Sequence, residues 1–220
     1  MTLFWNTVTR LGEAQLLLPA LLAATAWLAL RARAPRVALT WLGATGVAAA
    51  ITTVTKIAFI GWGIGYAPLD FTGISGHAMF AAAILPLLAR EAVGAAHPRW
   101  HGPAVGIGLA LAALVAVSRV EVYAHSPSES WAGFLLGAGA SVAALSLVHM
   151  PRTSAPKKLI LLLGAWLLVA VPGAPASRTH DWVTAISIGL AGRDAPYTRQ
   201  MMHRDWQLQR NGAQRYGAAR

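Results

Sequence analysis

The chain contains no cysteine. That excludes disulfides and thiolate metal sites and leaves the redox compartment open. Charge is also scarce: 12% of the 220 residues are Asp, Glu, Lys or Arg, against roughly 25% in an ordinary soluble domain. Acidic residues are the scarcest, 8 against 18 Lys and Arg, which leaves a net charge of +10. The chain is instead 56% hydrophobic, with a mean hydropathy of +0.52. Long runs nearly free of charge mark an integral membrane protein, and one membrane domain accounts for the length. In a soluble chain so basic a balance would point to nucleic acid. Here Lys and Arg flank the apolar runs, where they set orientation and meet anionic head groups, so the expected partners are membrane lipids and not nucleic acid. There is no internal repeat and no low-complexity tract.

The apolar runs set the organisation. Residues 3–13 place Trp5, Val8 and Leu11 at threes, with Asn6, Thr9, Arg10 and Glu13 between them, as in a short amphipathic helix on the membrane surface. Spans are expected at about 16–30, 37–60, 77–88, 103–117 and 131–148, with a sixth at 159–171, ended by Pro172 and Pro175, for which a re-entrant segment is the alternative. Residues 61–76 form a Gly-rich loop, and Pro127 interrupts the chain before the fifth span. In the Arg-rich tail, Trp182, Ile186 and Leu190 recur at fours, as in a second surface helix. The expected fold is all-α: a polytopic transmembrane bundle of about six spans with short amphipathic helices at the N-terminus and in the tail. Residues 1–172 form the membrane domain, with its core at 50–145, and 173–220 form a tail on the membrane surface.

Orientation follows from the short loops. The turns at 31–36, 90–101 and 151–158 hold Arg31, Arg33, Arg36, Arg90, Arg99, Arg152, Lys157 and Lys158, and the turns at 61–76 and 120–130 hold no Lys or Arg. The first set is expected to be cytoplasmic. Arg31, Arg33 and Arg36 directly follow the first run, the pattern of a retained anchor with its N-terminus outside. Six spans would put the Arg-rich tail outside as well.

Residues 118–133 are the polar exception, packing Arg119, Glu121, His125 and Glu129 between two apolar runs. Charge beside a membrane segment is costly and usually functional. By the same alternation, Lys56, His77, Arg119, His125 and Glu129 all fall at the outer face. Each has an ordinary reading. Lys56 snorkels to the interface, His77 sits beside a helix N-cap, Arg119 pairs with Glu121, and His125 meets Glu129 as a plain i,i+4 contact. Two histidines on facing helices also suit a haem or metal, but no further ligand set supports them, and no metal or cofactor is expected. Together the five suit phosphoryl transfer through a covalent histidine. Lys and Arg neutralise the phosphate oxygens. A neutral His, oriented by a carboxylate on its other ring nitrogen, attacks. A second His protonates the leaving oxygen. A small Gly beside a Ser lets backbone N–H groups approach phosphate at a helix start.

These residues carry a family pattern. Ser118-Arg119, five residues, His125, three residues and Glu129, with Ser126-Pro127-Ser128 between and Ala132-Gly133 after, resembles the third motif of the type 2 phosphatidic acid phosphatase superfamily (lipid phosphate phosphatases and vanadium haloperoxidase relatives), with Glu129 in place of Asp. Ile74-Ser75-Gly76-His77 resembles the second motif, with Ile for Pro. Lys56 matches the start of the first, whose Arg-Pro is replaced by Gly63-Ile64. The resemblance covers roughly residues 50–145. It implies His125 as the nucleophile that becomes phosphohistidine, Glu129 as its orienting carboxylate, and His77 as the general acid. It also implies Lys56, Ser75, Gly76 and Arg119 as phosphate-binding residues, with no metal. A tail arginine, Arg178, Arg193 or Arg199, is expected to supply the missing first-motif arginine if the tail folds back. The implied activity is a lipid phosphatase of a bacterial inner membrane, with its site facing the periplasm. Undecaprenyl diphosphate is the leading substrate, and phosphatidylglycerol phosphate, phosphatidic acid and lipid A phosphate are alternatives. A phosphotransferase would use the same residues, and a non-catalytic phospholipid-binding protein is the reading from another class.

Overall fold

The computed structural model describes residues 2–95, 97–149, 151, 153, 155–173 and 179–217. Among them are the helices α1 (Thr2–Arg10), α2 (Ala14–Leu30), α3 (Pro35–Trp62), α4 (Gly76–Val93), α5 (His101–Glu121), α6 (Pro127–Ser146), α7 (Lys157–Gly173), α8 (Thr179–Ala191) and α9 (Arg199–Gly217), and no strand. The chain is all-α. Four stretches, Leu3–Leu30, Pro35–Trp62, Gly76–Val93 and Pro98–Glu121, are long and apolar enough to cross a membrane.

The distribution of side chains is that of a membrane bundle. Small residues fill the interior, among them Ala78, Ala81, Ala82, Ala83, Ala112 and Ala144. Large apolar side chains such as Leu39, Val54, Ile107, Leu135 and Val142 stand exposed on the outside. A water-soluble domain does not expose so much apolar surface, whereas lipid-facing helices do, and small residues let their backbones approach closely.

Helix α4 is the centre, with α5 and α6 packed on it. Glycines set the approach. A Cβ on Gly133 would lie 2.4 Å from the Ser75 carbonyl oxygen, and one on Gly137 would lie 2.1 Å from that of Met79. Gly133 and Gly137 are one helical turn apart on α6, so this small-xxx-small face holds the start of α4 against the start of α6. On the other side a Cβ on Gly108 of α5 would lie 2.5 Å from Pro86 Cα. Pro86 itself lies inside α4. Its ring removes the N–H that the Ala82 carbonyl would accept. The Ser141 hydroxyl of α6 donates to that carbonyl instead, and the Trp41 indole of α3 donates to the Ala83 carbonyl at 2.9 Å. Three helices thereby lock around one proline.

The expected boundaries shift in three places. Pro127 does not merely interrupt the chain: it opens α6, where a missing N–H costs nothing. Helix α1 is more than a surface helix, because Val8 and Thr9 are buried and the helix packs on α5. In the tail, the row at Trp182, Ile186 and Leu190 points outward, with exposures of 69%, 51% and 64%, while Val183 and Ser187 face α3. Nothing in the sequence pattern signalled α9. Arg152, Pro175 and Arg178 contributed to the expectations above; Arg152 and residues 174–178 lie outside the described residues.

Candidate active site

The end of α3, the start of α4, the end of α5 and the start of α6 meet at one end of the bundle. They enclose a cavity of about 700 Å³. Lys56, Gly76, His77, Arg119 and His125 all line it, together with Thr52, Thr72 and Gly73. Leu18, Ala49, Met79 and Phe80 add an apolar part to its lining. Helix α8 and the start of α9 close the remaining side through Thr179, His180, Val183, Thr184, Tyr197 and Arg199.

His125 sits on the turn between α5 and α6, its N–H donating to the Arg119 carbonyl at 3.1 Å. Ser126 caps α6 and Glu129 is the third residue of the helix. The Ser126 hydroxyl accepts from the Glu129 N–H at 3.3 Å, and the Glu129 carboxylate accepts from the Ser126 N–H at 3.0 Å. This reciprocal capping box fixes the carboxylate beside the turn. Its Oε2 then meets His125 Nδ1 at 2.8 Å. With Nδ1–H donating there, Nε2 keeps its lone pair free. Burial holds the His125 imidazole below its ordinary pKa. The Glu129 bond pulls it up, and the charges of Lys56 and Arg119 push it down again. The ring is neutral at neutral pH and oriented, as a nucleophile requires.

Glu129 is fully buried and lies behind the cavity wall. Besides His125 and Ser126, its carboxylate accepts from the Thr72 N–H at 2.6 Å and hydroxyl at 2.5 Å, and from Arg199 Nη2 at 2.9 Å to each oxygen. Every acceptor position of a buried anion is filled, which is what makes its burial tolerable.

The other expected residues fall into two layers. Arg119 donates from Nη1 to Thr9 Oγ1 of α1 at 2.7 Å, and its Nε has no partner. Ser75 is fully buried with its hydroxyl unpartnered, and it is Gly76, not Ser75, that lines the cavity. The Ser75 N–H donates to the Glu129 carbonyl at 3.1 Å, tying the start of α4 to α6. Glu121 is exposed at the end of α5. The hydroxyls of Thr52 and Thr184, both in the cavity wall, are also unpartnered. A cavity edged by Lys56 and Arg119, with orphan donors and its nearest carboxylate already saturated, is suited chemically to an anion. No group of His, Asp and Glu among the described residues is arranged to hold a metal ion.

Of the expected tail arginines, Arg178 lies outside the described residues. Arg193 donates to the Gly61 carbonyl at 3.3 Å and stacks 5.7 Å over Tyr197. Arg199 reaches the site. Sequence reasoning missed Thr9, Thr72 and Asp70, whose partners lie far along the chain where no local pattern marks such pairs. It also missed Thr52, which reaches the site only as an unpartnered hydroxyl in the cavity wall.

The PAP2 superfamily model matches residues 62–153, which hold the second and third motifs. A protein of Klebsiella pneumoniae, described as an uncharacterized 22.5 kDa protein in the cps region, is 36% identical over 211 residues, covering 91% of this chain and 98% of that one. No solved structure matches the chain. Both motifs meet at one cavity, and a relative matches nearly end to end: the chain belongs to the PAP2 superfamily, a family of phosphatases of the lipid phosphate type.

Proposed function

We propose that the protein hydrolyses a membrane lipid phosphate or diphosphate through a phosphohistidine on His125, without a metal. The observation that carries this reading is the Glu129–His125 pair at 2.8 Å, its histidine lining a cavity that combines Lys56 and Arg119 with apolar side chains. Nε2 of His125 attacks phosphorus, and the bond from phosphorus to the lipid oxygen (or the bridging oxygen of a diphosphate) breaks. His77 gives its proton to that oxygen. Water then attacks the phosphohistidine, His77 takes the water's proton, and inorganic phosphate leaves. Lys56, Arg119 and the N–H of Gly76 hold the phosphate oxygens.

Undecaprenyl diphosphate is the favoured substrate. The cavity combines cationic and apolar side chains in its lining, which suits a phosphate or diphosphate head group on a lipid chain, and cations from α3 and α5 suit two phosphates. Six spans, with α6 and α7 as the fifth and sixth, put the site and tail outside and the turns at 31–36 and 90–101 in the cytoplasm, so the site faces the periplasm of an inner membrane.

The test is phosphate release in detergent from undecaprenyl diphosphate, phosphatidylglycerol phosphate, phosphatidic acid and lipid A, with and without EDTA. The reading expects release that survives EDTA, is fastest on the undecaprenyl substrate and vanishes in His125→Ala. Phosphate passed to a second lipid would mark a phosphotransferase. No turnover of any of these by folded protein would mark a binding protein.

A further inference from the structure

We propose that Arg199, the first residue of α9, is a positioning residue of this site, acting on His125 through Glu129, so that the tail helix is part of the catalytic unit. The proposal rests on the reading of His125 as nucleophile. An arginine free to clamp phosphate would turn its guanidinium into the cavity. Arg199, although it lines the cavity, spends both terminal nitrogens on the protein. Nη2 spans both Glu129 oxygens at 2.9 Å and reaches Thr72 Oγ1 at 3.2 Å. Nη1 donates to the Asp70 carbonyl at 2.7 Å and pairs with the Asp70 carboxylate. Glu129, completely buried, is thus held between His125 on one side and Arg199 on the other.

The tail is docked by contacts that do not need this arginine. The Tyr197 N–H donates to the Ile60 carbonyl at 2.9 Å, and the Tyr197 ring meets Phe59 edge-on at 5.5 Å. Met202 is buried with Phe59, Ile60 and Val183. His203 bonds Asp70 Oδ1 at 2.6 Å. Gly63, where the family pattern has its first-motif arginine, ends α3 in a left-handed turn (φ 71°) against the Tyr197 ring. The tail therefore occupies the place that the missing arginine vacates, and brings its own cation to the carboxylate rather than to the phosphate.

Arg199→Ala leaves an unneutralised buried carboxylate beside His125. The charged groups around the His125 ring are Lys56 on α3, His77 on α4, Arg119 on α5 and Glu129 on α6, with His180 of α8 on the cavity wall. Loss of the cation behind Glu129 strengthens the pull of the carboxylate on the imidazolium. The expected results are a kcat lower by about 10- to 100-fold, as loss of an orienting outer partner typically costs, with KM little changed. The His125 titration in ¹⁵N-histidine NMR of the detergent-solubilised full chain is expected to move to higher pH. Arg199→Lys restores part of both, and Arg204→Ala, which removes an exposed tail charge, changes neither. A raised KM with unchanged kcat would mean that Arg199 clamps phosphate directly. An unmoved His125 titration with wild-type kcat would overturn the proposal. The NMR readout needs no turnover. If the wild type releases no phosphate from any lipid, the nucleophile reading fails, while the titration still reports whether Arg199 acts on His125.

Discussion

Glu129 stands where the family pattern has an aspartate, and its surroundings supply the reason. One carboxylate closes the capping box of α6, orients His125, accepts two bonds from Thr72 and takes Arg199. A side chain one methylene shorter cannot hold the helix cap and the arginine at these distances together. Glu129→Asp is expected to lower kcat by about 10-fold or more, a loss of ~1.4 kcal/mol in transition-state stabilisation. Steady-state kinetics on a lipid phosphate checks this. The pH profile belongs to the same scale. On the proposed mechanism His125 attacks as the neutral ring, so kcat/KM is expected to fall as pH drops through its pKa, and burial puts that pKa below the ordinary ~6.5. Glu129→Gln removes the partner that raises it, so the acid limb moves to still lower pH while the rate falls. An acid limb above the ordinary histidine value would contradict this. The His125–Glu129 pair was legible because its spacing in the chain is its spacing in the structure, whereas His77, on α4, was reached through the second-motif resemblance. Thr72 and Thr9 were not, because each meets its partner across 57 and 110 residues.

At the scale of the elements, the site depends on how closely α6 rides on α4. Gly133 and Gly137 have no room for a Cβ, whereas Gly139 on the same helix has nothing within 4 Å. Gly133→Ala is expected to push Glu129 away from Ser75, to cost about 1–3 kcal/mol as overpacking does, and to lower activity. Gly139→Ala is expected to leave both near wild type. Thermal unfolding in detergent and phosphate release measure the pair. Four of the expected spans were readable from apolar length, because lipid demands it. The direction of α8 toward its neighbours was not. In a bilayer the more apolar face turns outward, so the row at Trp182, Ile186 and Leu190 identifies the helix but not the side on which it packs. Helix α9 is polar and has no such signature. It was reachable only through the expectation that some tail arginine folds back.

At the scale of the whole molecule, the absence of cysteine makes the orientation directly measurable. Single cysteines at Tyr123, which is 97% exposed, and at Leu208 on α9 are expected to react with a membrane-impermeant maleimide applied to intact spheroplasts. A cysteine at Arg99 is expected to react only after lysis. Labelling of Arg99→Cys but not Tyr123→Cys in intact spheroplasts would invert the topology. Protection of Leu208→Cys would place the tail on the other side from the site it closes. The position of the tail also ties the two ends of the chain together: Thr9 of α1 holds Arg119, and Arg199 of α9 holds Glu129, so both termini build on the central motifs.

The central claim is a covalent bond between phosphorus and His125. Mixing purified enzyme with its lipid substrate, quenching in alkali within milliseconds, and sequencing the peptides by mass spectrometry tests it most directly. The account predicts a phosphoryl group on the His125 peptide, stable to base and lost in acid, and absent from His125→Ala. Turnover at full rate with no phosphorylated His125 peptide at any quench time would contradict it.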